Sequence, residues 1–154
     1  MRSILIDTNV VVLLVVGVYS RELVGRHKRT REFSAEDFDV LVSKLDEFEE
    51  VWVTSHCLAE ASNFLKQHDN DMARGLLACL ASFGKNTRES HIPMLHVFGQ
   101  PLFESIGIAD TGILLKSKRV ACVLTTDFEL YQRVLHVNGN AINFHHLRMP
   151  SLLA

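Results

Sequence analysis

Short apolar runs alternate with helix-patterned segments along this chain, which predicts an α/β domain with a mainly parallel sheet flanked by helices. Two observations support that class. Ile4-Leu5-Ile6, Val51-Trp52-Val53 and the stretch from Val120 to Thr125 read as short buried strands rather than half-exposed ones. The 154 residues, 47% hydrophobic and 22% charged, suffice for one compact domain with a sizeable core, and residues 1–154 read as a single unit.

Taken in order, Ile4-Leu5-Ile6 forms the first strand and stops at the polar trio Asp7-Thr8-Asn9. Val10 to Val16 fits two descriptions, since β-branched residues suit a strand while an Asp-Thr-Asn start suits a capped helix. From Arg21 to Arg31 the chain turns basic and polar. Ser34 and Asp37 have capping-box spacing, and Phe38, Leu41, Val42, Leu45 and Phe48 follow at helical intervals. The region around 17–48 therefore reads as a helical and basic insertion. Val51-Trp52-Val53 is the second strand, and Thr54-Ser55 caps a helix to about Lys66. Asn70 caps the next, with Ala73, Leu76, Leu77, Leu80 and Phe83 as its buried stripe and Gly84 as its stop. Residues 85–100 look irregular. A helical stretch follows, broken near Gly107 and resuming from Ala109 to about Lys118. Val120 to Thr125 is the third strand, Phe128 to Leu135 a helix, and Ala141 to Phe144 a last strand after the turn Asn138-Gly139-Asn140.

Several function classes are disfavoured at once. A net charge of -2 advertises no polyanionic partner for the molecule as a whole, so a nucleic-acid site must be a local patch. Cys57, Cys79 and Cys122 are odd in number and lie in apolar segments, which suits buried thiols in a reducing compartment better than disulfides or a zinc site. The eight histidines show no chelating spacing, and His145 and His146, if on a strand, would face opposite ways. Asp7 interrupts the only signal-like stretch, and the apolar run after it is too short to cross a bilayer, so a cytoplasmic protein without membrane contact is expected.

The acidic residues fall in a pattern. In open parallel sheets the functional crevice lies beyond the carboxyl ends of the strands. Asp7 follows the first strand and Asp127 another. Glu60 lies in the helix after Val51-Trp52-Val53, and Asp110 opens a helix after the Gly107 break. Four carboxylates from four segments can thus meet at one sheet edge. Hydrolysing a phosphodiester needs an activated water and a stabilised leaving oxygen, which two divalent ions about 4 Å apart supply. Hard ions such as Mg2+ or Mn2+ take carboxylate oxygens. Each acid also has an ordinary role: Asp7, Asp110 and Asp127 as helix caps, Glu60 as a solvated helix residue. Capping explains them singly and a metal site explains them together, and the residues alone leave both open.

These segments resemble the motifs of PIN domains. Ile4-Leu5-Ile6-Asp7-Thr8-Asn9 is similar to the opening strand and first acidic motif, and Leu58-Ala59-Glu60-Ala61-Ser62-Asn63-Phe64-Leu65 to the second. Ile108-Ala109-Asp110-Thr111-Gly112-Ile113-Leu114 resembles the third and Leu124-Thr125-Thr126-Asp127-Phe128 the fourth. All four occur in the family's order and span nearly the whole chain. The resemblance implies a three-layer PIN-like fold and a metal-dependent endoribonuclease, often the toxin of a toxin–antitoxin pair. Asp7, Glu60, Asp110 and Asp127 would be the Mg2+ or Mn2+ ligands, directly or through water. Thr8 or Thr126 would position water or phosphate, and Asn63, one turn from Glu60, would orient a carboxylate. RNA is then the substrate, with an antitoxin protein and a second copy of the chain as expected partners.

Two features depart from the pattern: Gly112 stands where a helix-former is usual, and residues 17–33 are long and basic. Arg26, Lys28, Arg29 and Arg31 form the densest positive run. Such runs are ordinarily solvated loops, but a nuclease with an acidic centre needs cations for flanking phosphates, and this run would track the RNA backbone. A haloacid-dehalogenase phosphatase needs a second carboxylate where Asn9 stands, and no Gly-rich turn suits a dinucleotide. The remaining rival is a catalytically silent PIN-like module that binds RNA or protein.

Overall fold

A computed structural model describes residues 2–67 and 70–153, with side chains for 2–67 and 71–148. Strand β1 (Ser3–Ile6) is the middle of a five-stranded, all-parallel sheet and is buried along its whole length. The others are β2 (Glu50–Thr54), β3 (Arg88–Ser90), β4 (Cys122–Thr125) and β5 (Ala141–Asn143), in the order β3-β2-β1-β4-β5. β1 pairs Leu5 with Trp52 on one side and Leu5 with Val123 on the other.

The ambiguous run after Asp7 is a helix, α1 (Thr8–Tyr19). Its valines are poor helix formers, but Val10–Leu13, Val15 and Val16 are all buried. A helix apolar on nearly every side is stable only when enclosed, and here packing overrides propensity. Its enclosure comes from α2 (Ala35–Leu45), α3 (Ser55–Leu65) and α4 (Asn70–Lys85), each of which contacts it. A second contact set joins α5 (Met94–Phe98), α6 (Phe103–Ser117) and α7 (Phe128–Val137). The chain crosses from β1 to β3 in one direction and returns through β4 to β5 in the other. Right-handed crossovers in opposite directions account for two helix sets flanking one sheet.

The capping box is present: the Asp37 N–H donates to Ser34 Oγ (3.1 Å) and the Ser34 N–H to Asp37 Oδ2 (2.8 Å). Thr54 caps α3 as expected, accepting from the Cys57 N–H at 3.1 Å. The capping role expected of Asn70 lies outside the described side chains. Residues 85–100 differ from expectation, since they hold β3 and α5, elements of three and five residues that are too short to carry a hydrophobic period. Phe144 does not end β5 but opens α8 (Phe144–Leu153), so His145 and His146 lie on a helix. Cys57 and Cys122 are buried and Cys79 half-buried, all three as free thiols. No described helix is long and apolar enough to cross a membrane.

Residues 17–48 are held by an ion pair of their own and by contacts from α8. Arg21 pairs with Asp39 (2.6 Å). Arg148 of α8 reaches back to Asp37 at 2.9 Å and donates to the Glu32 carbonyl at 2.9 Å, with its guanidinium over the Phe33 ring. Phe33 packs on Phe144. The Asp37–Arg148 pair is almost wholly buried, so removing one member leaves an uncompensated charge. Asp37→Ala should therefore destabilise the protein by roughly 3–5 kcal/mol in urea unfolding, while a loss below about 1 kcal/mol would show a pair that carries no weight.

Candidate metal centre

The site grows from the end of the central strand. Pairing between β1 and β4 continues one residue past Ile6, because the Asp7 N–H donates to the Leu124 carbonyl at 3.3 Å. That step sets Asp7, only 5% exposed, beside Thr125. Asp7 Oδ1 accepts the Val10 N–H at 3.0 Å and so caps α1, while Oδ2 accepts the Thr125 hydroxyl. Burial pushes the Asp7 carboxyl up to about 6, even though these donors and the Thr126 backbone favour the ionised form; nearby Asp127 adds to the rise.

Thr125 Oγ1 also accepts the Asp127 N–H at 2.9 Å, linking two of the predicted acids through one hydroxyl. Asp127 is exposed and caps α7, its Oδ1 taking the Leu130 N–H at 2.8 Å. Asp110 lies in α6 just past the kink at Gly107, whose φ of 82° is a left-handed conformation suited to glycine. It is half-buried, and its carboxyl is also pushed up to about 6. Burial is the first cause; the charges of Asp127, Asp7 and Glu60 follow, and Arg133 of α7 opposes them. Glu60 is exposed on α3. The charges of the other three acids thus all reach Asp110, and that of Asp127 reaches Asp7, although no three His, Cys, Asp or Glu among the described residues form a ready ligand group.

The supporting residues fare unevenly. The Thr8 side chain is buried against the Cys57 thiol, which burial pushes up to about 11 and so keeps protonated. Thr126 contributes through its backbone. Asn63 is exposed, and no hydrogen bond joins it to Glu60 among the described residues. In the basic run, Arg29 is already engaged: its guanidinium lies 3.8 Å from the centre of the Phe64 ring and bonds Gln67 at 3.3 Å. Arg26, Lys28 and Arg31 are exposed. Gly112 has a packing reason, since a Cβ there would meet Ile92 Cδ1 at 3.1 Å and His56 Cδ2 at 3.6 Å where α6 passes α3.

Thr125 and Arg133 were not legible beforehand. Thr125 shows itself only through the register of β4 on β1. Arg133 makes no hydrogen bond or ion pair among the described residues, yet its charge reaches Asp110.

The donor chemistry fits a hard divalent cation. The acids supply oxygen ligands only, and their mutual repulsion is the kind a cation relieves. Buried His56 Nε2, on the helix turn before Glu60, and Thr111 Oγ1, next to Asp110, also lack hydrogen-bond partners among the described residues. Neither a protein-family model nor a curated protein matches the chain.

Two predictions follow from these geometries. In metal-free buffer near pH 7 both raised carboxyls are ionised and their burial weakens folding. As pH falls through about 6 the folded protein takes up protons that the unfolded chain, with carboxyls near 3.8, does not, so stability rises. Asp110→Asn should accordingly be more stable than the parent at pH 7 and lose that advantage progressively as pH falls from about 6 toward about 4; an advantage independent of pH would show that Asp110 titrates normally. Thr125→Val leaves buried Asp7 short of a donor and the Asp127 N–H short of an acceptor. It should cost about 1–3 kcal/mol in urea unfolding, with Thr125→Ser close to the parent; equal losses in both variants would point to the methyl group instead.

Proposed function

We propose that this chain is a divalent-metal-dependent endoribonuclease, with its active centre at the carboxyl ends of β1 and β4. The observation that carries the reading is that the charges of Asp7, Glu60 and Asp127, from three other segments, all reach half-buried Asp110. Capping accounts for Asp7 and Asp127 but not for Asp110, which caps nothing and still sits half-buried among like charges. Clustering of that kind weakens the fold, so a function is the better explanation for it.

Asp7, Asp110 and Asp127 would hold Mg2+ or Mn2+, with Glu60 reaching in from the solvent side of α3. The metal would supply an activated water and charge stabilisation at the leaving oxygen. Arg133, which makes no hydrogen bond or ion pair among the described residues and whose charge acts on Asp110, would hold a non-bridging phosphate oxygen. Thr125 keeps the Asp7 carboxylate and the Asp127 backbone in register. A toxin role, an antitoxin partner and a homodimer rest on the family resemblance alone.

The test is cleavage of a labelled RNA by the purified protein in Mg2+ or Mn2+, with and without chelator. Chelator should abolish cleavage, and Asp7→Asn, Asp110→Asn and Asp127→Asn should each reduce the rate by at least roughly a hundredfold. Glu60→Gln, altering an exposed side chain, should have a smaller effect. RNA that is bound but uncut in either metal would instead support the silent binding module.

A further inference from the structure

Phe128 is the residue directly after Asp127, in the first turn of α7, and its side chain is 56% exposed. A single exposed aromatic is unremarkable, but this one is braced. Its ring lies 6.2 Å from that of Tyr131, inclined at 36°, and Tyr131 meets the His146 ring edge-on at 5.5 Å. Three rings thus form a row that starts at the residue after Asp127, with Phe128 as the open member. Ile108, two residues before Asp110, is also exposed. Asp127 and Asp110 thus each have an exposed apolar residue within two positions in sequence, while Arg133 on α7 supplies a cation with no hydrogen bond or ion pair among the described residues.

Anionic centre, free cation and open ring together match one ligand chemistry. A nucleic acid presents a phosphate for the first two and a flat π-face for the third. In a duplex both faces of each base are already stacked, so only an unpaired base can lie against Phe128. Building on the nuclease reading, we propose that Phe128, supported by Tyr131 and His146, stacks on an unpaired nucleobase next to the phosphodiester held at the carboxylates. Phe128 is a positioning residue, and it sets strandedness rather than base identity, because every base has a π-face.

Binding and turnover separate the two levels of this reading. Binding of a short fluorescent single-stranded RNA and its duplex form is measured by anisotropy on Asp110→Asn protein, so that bound RNA stays intact. Adding Phe128→Ala should weaken single-strand binding roughly five- to hundredfold, the range for loss of one base stack. Duplex binding should not change, and Phe128→Trp should keep the single-strand affinity. In the otherwise unaltered enzyme Phe128→Ala should raise KM by a similar factor with kcat nearly constant. A stacking effect on binding without metal-dependent cleavage would sink the nuclease reading and leave the aromatic site standing. Cleavage by the parent with single-strand affinity unchanged in the Phe128→Ala variant would do the reverse. Equal weakening of single strand and duplex, or no RNA binding at all, would overturn the stacking proposal.

Discussion

A carboxylate with almost no access to water must be compensated by nearby donors, and Asp7 is where this structure meets that demand. Desolvating an ionised group is costly unless it is hydrogen-bonded. Here the compensation comes from the first turn of α1 on one oxygen and from the last residue of β4 on the other. Each contact has a structural consequence. The first fixes where the central helix begins, and the second locks the ends of two neighbouring strands in one register. Thr125 then passes the constraint on by accepting the Asp127 N–H, so the start of α7 is set by the same residue.

Capping and chemistry therefore coexist in these side chains. Asp7 and Asp127 each give one oxygen to a helix N-terminus, which anchors the carboxylate without exhausting its acceptor capacity. A rigid backbone anchor is what a preorganised centre needs. Asp110 is held differently: it follows the kink at Gly107, and the close pass of Gly112 against His56 and Ile92 seats that part of α6 against α3. Its raised carboxyl follows from that position, being half-buried and facing like charges with only Arg133 in opposition.

Positive charge is distributed by a separate logic. Arg148 and Arg29 are tied into packing, one through Asp37 and Phe33, the other through Phe64. Such stacked guanidiniums bury their planes while holding segments together, a use for which lysine is less suited. One cation of residues 17–33, Arg29, thus serves to fasten a long connection to α3, while α8 supplies its own arginine, Arg148, to the same connection. Any contribution to RNA binding falls to Arg26, Lys28 and Arg31, whose side chains remain exposed.

Interactions spanning three or four residues were readable from the order of the amino acids. The buried strand at Ile4–Ile6, the Ser34–Asp37 capping box, the Thr54 cap and the break at Gly107 all belong to that class, as does the placement of Asp7 and Asp127 at strand ends. Short elements were not readable, because β3 and α5 complete no period, and Val10 to Val16 stayed ambiguous until burial chose the helix. Contacts between distant residues were decided only by tertiary structure. Thr125 rather than Thr126 bonds Asp7 across 118 positions of sequence because β4 pairs with β1 in one register, and a shift of one residue would exchange the two hydroxyls. The reach of the Arg133 charge to Asp110 and the stacking of Arg29 on Phe64 likewise depend on how helices pack. Sequence spacing specifies local hydrogen bonds, whereas long-range partners are set by sheet order and helix packing, which no local pattern encodes.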